Sequence, residues 1–145
     1  MKTPSIDITR HYSVSATELW SELRHIDRHV NWMADAESIT FLSDQREGID
    51  TSFTCRTKIG PIVLTDVMTI TAWEDERIMG VRHHGIVTGV GTFTLNPSGT
   101  GVDLTWHEAL NFPWFFAGTL GAYIARPILR AVWRGNLKRL EKAFK

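Results

Sequence analysis

Between residues 37 and 111, six runs rich in Thr, Val, Ile and aromatic side chains follow one another with only short links between them. They cover 37–43, 51–59, 62–73, 77–84, 87–95 and 101–111. Gly60-Pro61, Glu74-Asp75-Glu76 and Asn96-Pro97-Ser98-Gly99 are short turns. A parallel crossover needs a dozen or more residues, so consecutive runs must pair as antiparallel hairpins. That requirement restricts the middle of the chain more than any other feature of it.

The flanks read differently. Ile6, Ile8, Tyr12 and Val14 alternate as a strand would, and Arg10 shares their parity. Ser15-Ala16-Thr17-Glu18 has the form of a capping box, and Leu19, Trp20, Leu23 and Ile26 continue at helical spacing. Asp27 reads as a second start signal, for a short helix towards Trp32. After Pro113 the period is helical again, with Leu129, Trp133, Leu137, Leu140 and Phe144 as its apolar stripe. The order is strand, two short helices, six strands and one long helix. A curved seven-stranded sheet with that helix across one face accommodates it and leaves room for a cavity.

At 145 residues and 43% hydrophobic content, the chain is large enough for a real core and too apolar for disorder. Sixteen basic and 16 acidic side chains cancel, which removes the field expected of a general nucleic-acid binder. The single cysteine, Cys55, excludes an intrachain disulfide and a cysteine metal cluster. The start MKTPSIDITRHY lacks a signal-peptide core, and no run reaches the roughly 18 apolar residues of a membrane span. The expectation is a soluble, cytoplasmic domain spanning 1–145, without cofactor or transmembrane segment.

Several of these stretches resemble one family. Val14-Ser15-Ala16-Thr17-Glu18-Leu19-Trp20, Asp27 followed by Trp32, Gly91-Thr92-Phe93-Thr94-Leu95, and Leu104-Thr105-Trp106 with Glu108 occur in the order seen in START-like (SRPBCC, Bet v 1-like) proteins. That superfamily includes bacterial proteins of the polyketide cyclase/dehydrase type. The resemblance implies an α+β helix-grip fold, with a ligand cavity between the sheet and the C-terminal helix. It leaves function open, because cyclases, lipid binders and co-chaperones share the fold.

Strand parity assigns side chains to the cavity. Leu64, Asp66, Met68 and Ile70 share the inner face, with Thr65, Val67, Thr69 and Thr71 outside. Pairing Ile59 with Ile62 puts Phe53, Cys55 and Thr57 inside, and Phe93 and Leu95 share a face with Val102, Leu104, Trp106, Glu108 and Leu110. Asp66 and Glu108 are therefore inward carboxylates, which must be hydrogen-bonded, paired or protonated. Possible partners are Arg10 and His83, and for Glu108 two readings stand: a structural ion pair, with Arg10 plausible across neighbouring first and last strands, or contact with a ligand. An even turn near 74–77 places Met79, Val81 and His83 inside, whereas a two-residue turn at Gly85-Ile86 reverses that parity. An odd link or a bulge would reconcile them, with His83 inside as a general acid/base or as a hydrogen-bonded strand residue.

His107 falls outside. His25 and His29 have a metal-pair spacing but no third ligand, so no metal site is expected. Cys55 reads as a small buried hydrophobe. The glycines of 85–91 do not open a helix, so their expected role is to leave space over the sheet. The cavity lining expected is Phe53, Met68, Phe93, Trp106 and Tyr123, with Trp32 at the rim. Trp114 and Phe116 would close over it at the strand–helix corner, and Leu120 and Ile124 would come from the thin start of the helix. Gly118, Gly121, Ala122 and Ala125 thin that segment, and Pro127 is expected to kink it. Arg126, Arg130, Arg134, Lys138 and Lys142 form a basic stripe, read as a solvated face.

The functional expectation is binding of a small or medium apolar ligand: a lipid, an aromatic or a polyketide-like molecule. The alternative is a cyclase or dehydratase moving protons through Asp66, His83 or Glu108. A second alternative is a protein-interaction module using the aromatic corner. Expected partners are a small apolar ligand and a second copy in a homodimer, with no nucleic acid.

Overall fold

The helical period begins at a side-chain cap. In the computed structural model, which describes residues 4–145, strand β1 (Ser5–Tyr12) runs to Ser15, whose hydroxyl accepts from the Glu18 amide at 3.1 Å. Helix α1 (Ala16–Leu23) follows and buries Leu19, Trp20 and Leu23. Residues 1–3, with which the expected domain span begins, lie outside the described residues. The second helix expected from Asp27 is a 3-10 turn, Ile26–Asn31, whose leading residue His25 makes no side-chain capping bond.

Six further strands follow: β2 (Ala36–Phe41), β3 (Ser52–Ile59), β4 (Ile62–Glu74), β5 (Ile78–His84), β6 (Thr88–Ser98) and β7 (Gly101–Asn111). They form one antiparallel sheet in the order β1-β7-β6-β5-β4-β3-β2. Every sequential hairpin pairs as the short links demand, and β1 closes onto β7. The turn expected over Asn96–Gly99 is tighter: Ser98 pairs with Gly101, leaving Gly99-Thr100 as the loop. Gly99 supplies the positive φ, 60°, that such a hairpin requires.

The parity conflict around His83 is resolved by odd links. Glu74 pairs with Ile78 across a three-residue loop, and the ladder shifts between Ile70 and Ala72. Odd loop and bulge cancel, so Met68 and His83 stand opposite each other on the inner face. Beyond His83 the ladder resumes at Gly89, an odd interval, and His84 is left exposed.

Helix α2 (Gly118–Leu140) lies across the inner face, continuous through Pro127. Leu129, Trp133, Leu137 and Leu140 are its buried stripe, and Phe144 meets Tyr12 edge-on from a terminal 3-10 turn. The buried Tyr12 hydroxyl donates to the Leu137 carbonyl at 2.6 Å, tying the first strand to the last helix. Burial of each large apolar side chain on this stripe contributes about 1.5–3 kcal/mol. The half-exposed Arg10–Glu141 ion pair nearby, at 2.7 Å, contributes at most about 1 kcal/mol. Apolar packing holds the helix.

Candidate functional site

The sheet curves away from the first half of α2, leaving a cavity of about 560 Å³ between them. That is in the range, roughly 300–1,000 Å³, of sites for small organic ligands. Its wall is overwhelmingly apolar. Phe53, Met68, Ile70, Met79, Phe93 and Trp106 come from the sheet; Gly121, Ile124, Ala125, Leu129 and Trp133 come from α2. Trp106 and Trp133 stack with ring centroids 5.0 Å apart, and Phe93 meets Trp106 edge-on at 5.1 Å.

Polar groups break this wall on the β4–β7 side. Glu108 is 5% exposed; His83 Nε2 stands 3.1 Å from its Oε2, and Trp106 Nε1 donates to its Oε1 at 3.1 Å. Burial pulls the His83 pKa down, but the bond to Glu108 and the charges of Glu108 and Asp66 outweigh it and hold the imidazole above its ordinary value. Asp66 is 7% exposed, and its Oδ1 has no hydrogen-bond partner among the described residues. Burial pushes this carboxyl above its ordinary value, against the charge of His83 and the Ile86 backbone amide. Cys55 stands across the ladder from Asp66, buried, with its thiol pushed up mainly by that burial.

Two glycines make room for these carboxylates. Gly91 is opposite Glu108, where a Cβ would lie 2.2 Å from Oε1; at Gly85 it would lie 2.0 Å from Asp66 Oδ1. Gly85 and Gly91 leave space that the carboxylates fill, whereas a Cβ at Gly89 would meet the Ala109 backbone carbonyl.

Of the residues expected at the site, Asp66, His83, Glu108, Phe53, Met68, Phe93, Trp106, Phe116 and Ile124 all line the cavity. Four expectations of lining need correction. Trp32 is core, packed on His29, Phe93 and Trp106 behind the wall. Leu120 and Tyr123 turn to the outer side of α2, because the line Gly121–Ala125–Leu129–Trp133 takes the inner one. Trp114 is 87% exposed on a 3-10 turn, Trp114–Phe116, with Phe115 beside it, so only Phe116 of that run reaches the cavity. Of the two readings left open for Glu108, the pair with Arg10 is not formed: Arg10 is opposite Leu104 and bonds Glu141, while Ile6 is opposite Glu108. His107 faces outward and bonds Asp7 at 2.6 Å.

Two titratable lining residues escaped the sequence reading. His29 is buried in the 3-10 turn with its Nε2–H on the Leu23 carbonyl at 2.7 Å, and burial lowers its pKa to about 4. Asp35 accepts from Trp133 Nε1 at 3.3 Å and from Asn136 Nδ2 at 2.7 Å, and Arg139 bonds Asn136 from behind. No local pattern marks Asp35, since its partners lie about a hundred residues away in α2. Among the described residues, no group of three or more His, Cys, Asp or Glu is arranged to hold a metal, and no helix is long and apolar enough to cross a membrane.

A curved antiparallel sheet, a long gripping helix and an apolar cavity with a few buried polar groups define a helix-grip protein of the SRPBCC class. Residues 3–145 match the family described as polyketide cyclase/dehydrase and lipid transport, and the chain belongs to it. Solved structures agree on the fold. TTHA0849 from Thermus thermophilus superposes with a TM-score of 0.79 at 17% identity, over 96% of this chain and 95% of that one. The Zhui aromatase/cyclase from Streptomyces sp. R1128 gives 0.68 at 15% identity, over 97% and 90%. The di-domain ARO/CYC StfQ of the steffimycin biosynthetic pathway gives 0.79 at 11% identity, over 97% of this chain and 50% of that one. No curated protein matches the sequence significantly.

Proposed function

We propose that the protein binds a small or medium apolar molecule, lipid, aromatic or polyketide-like, in the cavity between the sheet and α2. The observation that carries this reading is the cavity itself: about 560 Å³ with an almost wholly apolar wall in a chain of this family. Retaining such a void forgoes packing, at roughly 1 kcal/mol for each methyl-sized gap left unfilled. Occupancy by a ligand recovers those contacts. Native mass spectrometry of protein purified without detergent, with N-phenyl-1-naphthylamine titration as a second measurement, tests it. A discrete bound mass, or uptake of the dye that Ala125→Trp abolishes, is the expected result. Neither appearing sinks the reading.

The same site favours a second reading, a cyclase or dehydratase. Proton transfer needs a titratable group free to meet a substrate. Glu108 is engaged by His83 and Trp106, but Asp66 has no ion pair among the described residues, and against burial the bond to Glu108 raises the pKa of His83. The neighbouring aromatase/cyclases support this reading through fold alone. Incubation with a linear poly-β-ketone thioester analogue tests it: cyclised or dehydrated product that falls in Asp66→Asn and His83→Gln would support it. Product equal to the buffer control would end it.

A further inference from the structure

Resting on the binding reading above, we propose that the cavity selects apolar molecules whose head group donates a hydrogen bond, a hydroxyl, phenol or amine, and rejects those ending in a carboxylate or phosphate. The charged and titratable groups on its wall carry the argument. Among the described residues the lining includes Asp35, Asp66 and Glu108, together with His29 and His83, and it includes no lysine or arginine. An anionic head would enter an apolar space with no cation to receive it. A carboxylate in that position keeps its desolvation cost and gains repulsion.

The groups around the cavity differ in how fully they are compensated. Asp35 already accepts from Trp133 and Asn136, and Arg139 stands behind Asn136. Glu108 accepts from Trp106 and is paired with His83. His29 is spent on the Leu23 carbonyl and, with its pKa near 4, brings no positive charge near neutrality. Arg126 borders a separate small hollow that Glu108 also touches, not the cavity. Asp66 is left over: 7% exposed, on the cavity wall, with one oxygen lacking any partner. Among the described residues His83 is the only basic group within bonding distance of these two carboxylates, and its bond goes to Glu108 rather than Asp66.

What Asp66 Oδ1 lacks is a donor. A hydroxyl or ammonium supplies one to Asp66, and small movement of the Gly85 bend that covers Oδ1 would expose it. Fatty acids and acyl phosphates bring only further acceptors when ionised. Within the broad class of apolar ligands, the head group therefore decides.

The test is displacement of N-phenyl-1-naphthylamine, a neutral dye, by three molecules of equal chain length: decanol, decylamine and decanoic acid, near neutral pH. Decanol and decylamine are expected to displace it roughly tenfold or more better than decanoate, as like-charge juxtaposition costs more than the ~1.4 kcal/mol that tenfold represents. Asp66→Asn, checked for folding by circular dichroism, is expected to narrow the gap by improving decanoate. Decanoate competing as well as decanol overturns the proposal. A gap that Asp66→Asn leaves unchanged overturns the role of Asp66. The wild-type ranking decides the question even where that variant fails to fold. No dye uptake at all is a different failure: it removes the binding reading, and this inference with it.

Discussion

Gly91 stands directly opposite Glu108 across the β6–β7 ladder, and a methyl group in place of its hydrogen would lie 2.2 Å from the Glu108 carboxylate. The glycine is thus the space in which the carboxylate sits, and through it the partner of His83. Gly91→Ala is expected to push Glu108 off both His83 and Trp106. Leaving these buried groups unsatisfied costs about 1–3 kcal/mol, read as a lower urea midpoint. NMR titration of His83 will show its pKa fall in the same variant. An unchanged His83 titration would show that the contact is not made through this geometry.

His29 and His83 give the stability–pH curve opposite slopes. The folded pKa of His29, about 4, lies below its ordinary 6.5. As pH falls from 6.5 towards 4, the unfolded chain takes up a proton that the folded chain refuses, so stability declines. The full difference is about 3 kcal/mol at about 1.36 kcal/mol per unit. His83 is raised instead, so its contribution is complete below 6.5 and is lost as pH rises through the folded value. Asp66, raised from 3.8, acts in the sense of His83 from the carboxylate range upward. Urea midpoints across pH are expected to show His29→Gln flattening the acid-side decline and Glu108→Gln flattening the alkaline-side one.

Arg10→Met is expected to cost at most about 1 kcal/mol and to leave the His83 titration untouched. Its partner Glu141 is about as exposed as Arg10 itself, and Glu108 lies four residues along β7 from the Arg10 register. A shift in the His83 pKa on this substitution would contradict that separation.

Trp106 and Trp133 line the cavity as a stacked pair, while Trp114 is exposed to solvent outside it. Uptake of an apolar ligand will therefore change tryptophan emission in the wild type and in Trp114→Phe alike. Trp106→Phe will lose most of that change. A response that instead disappears with Trp114 would locate the ligand on the outer aromatic corner.

Sequence alone was enough for those features that depend on backbone periodicity. Short links impose antiparallel pairing, and a period of two groups Asp66 with Met68 and Ile70, and Glu108 with Trp106 and Leu104, on the apolar side of their own strands. The period near 3.6 likewise picks out Leu129, Trp133, Leu137 and Leu140. Both are local properties, legible without knowing any partner. Tertiary structure decided what local periodicity leaves free. Whether His83 or His84 faced inward depended on a bulge at β4 and on two odd links, which alter parity by single residues. Which residues of α2 met the cavity depended on the rotation of that helix, set by the packing of Leu137 and Leu140 far along it, and this turned Leu120 and Tyr123 outward. Arg10 had the expected inward parity, but it found Glu141 because the chain end passes over β1 there. Asp35 became a cavity residue only when Trp133 and Asn136 were brought to it across the sheet, a contact that exists only in three dimensions.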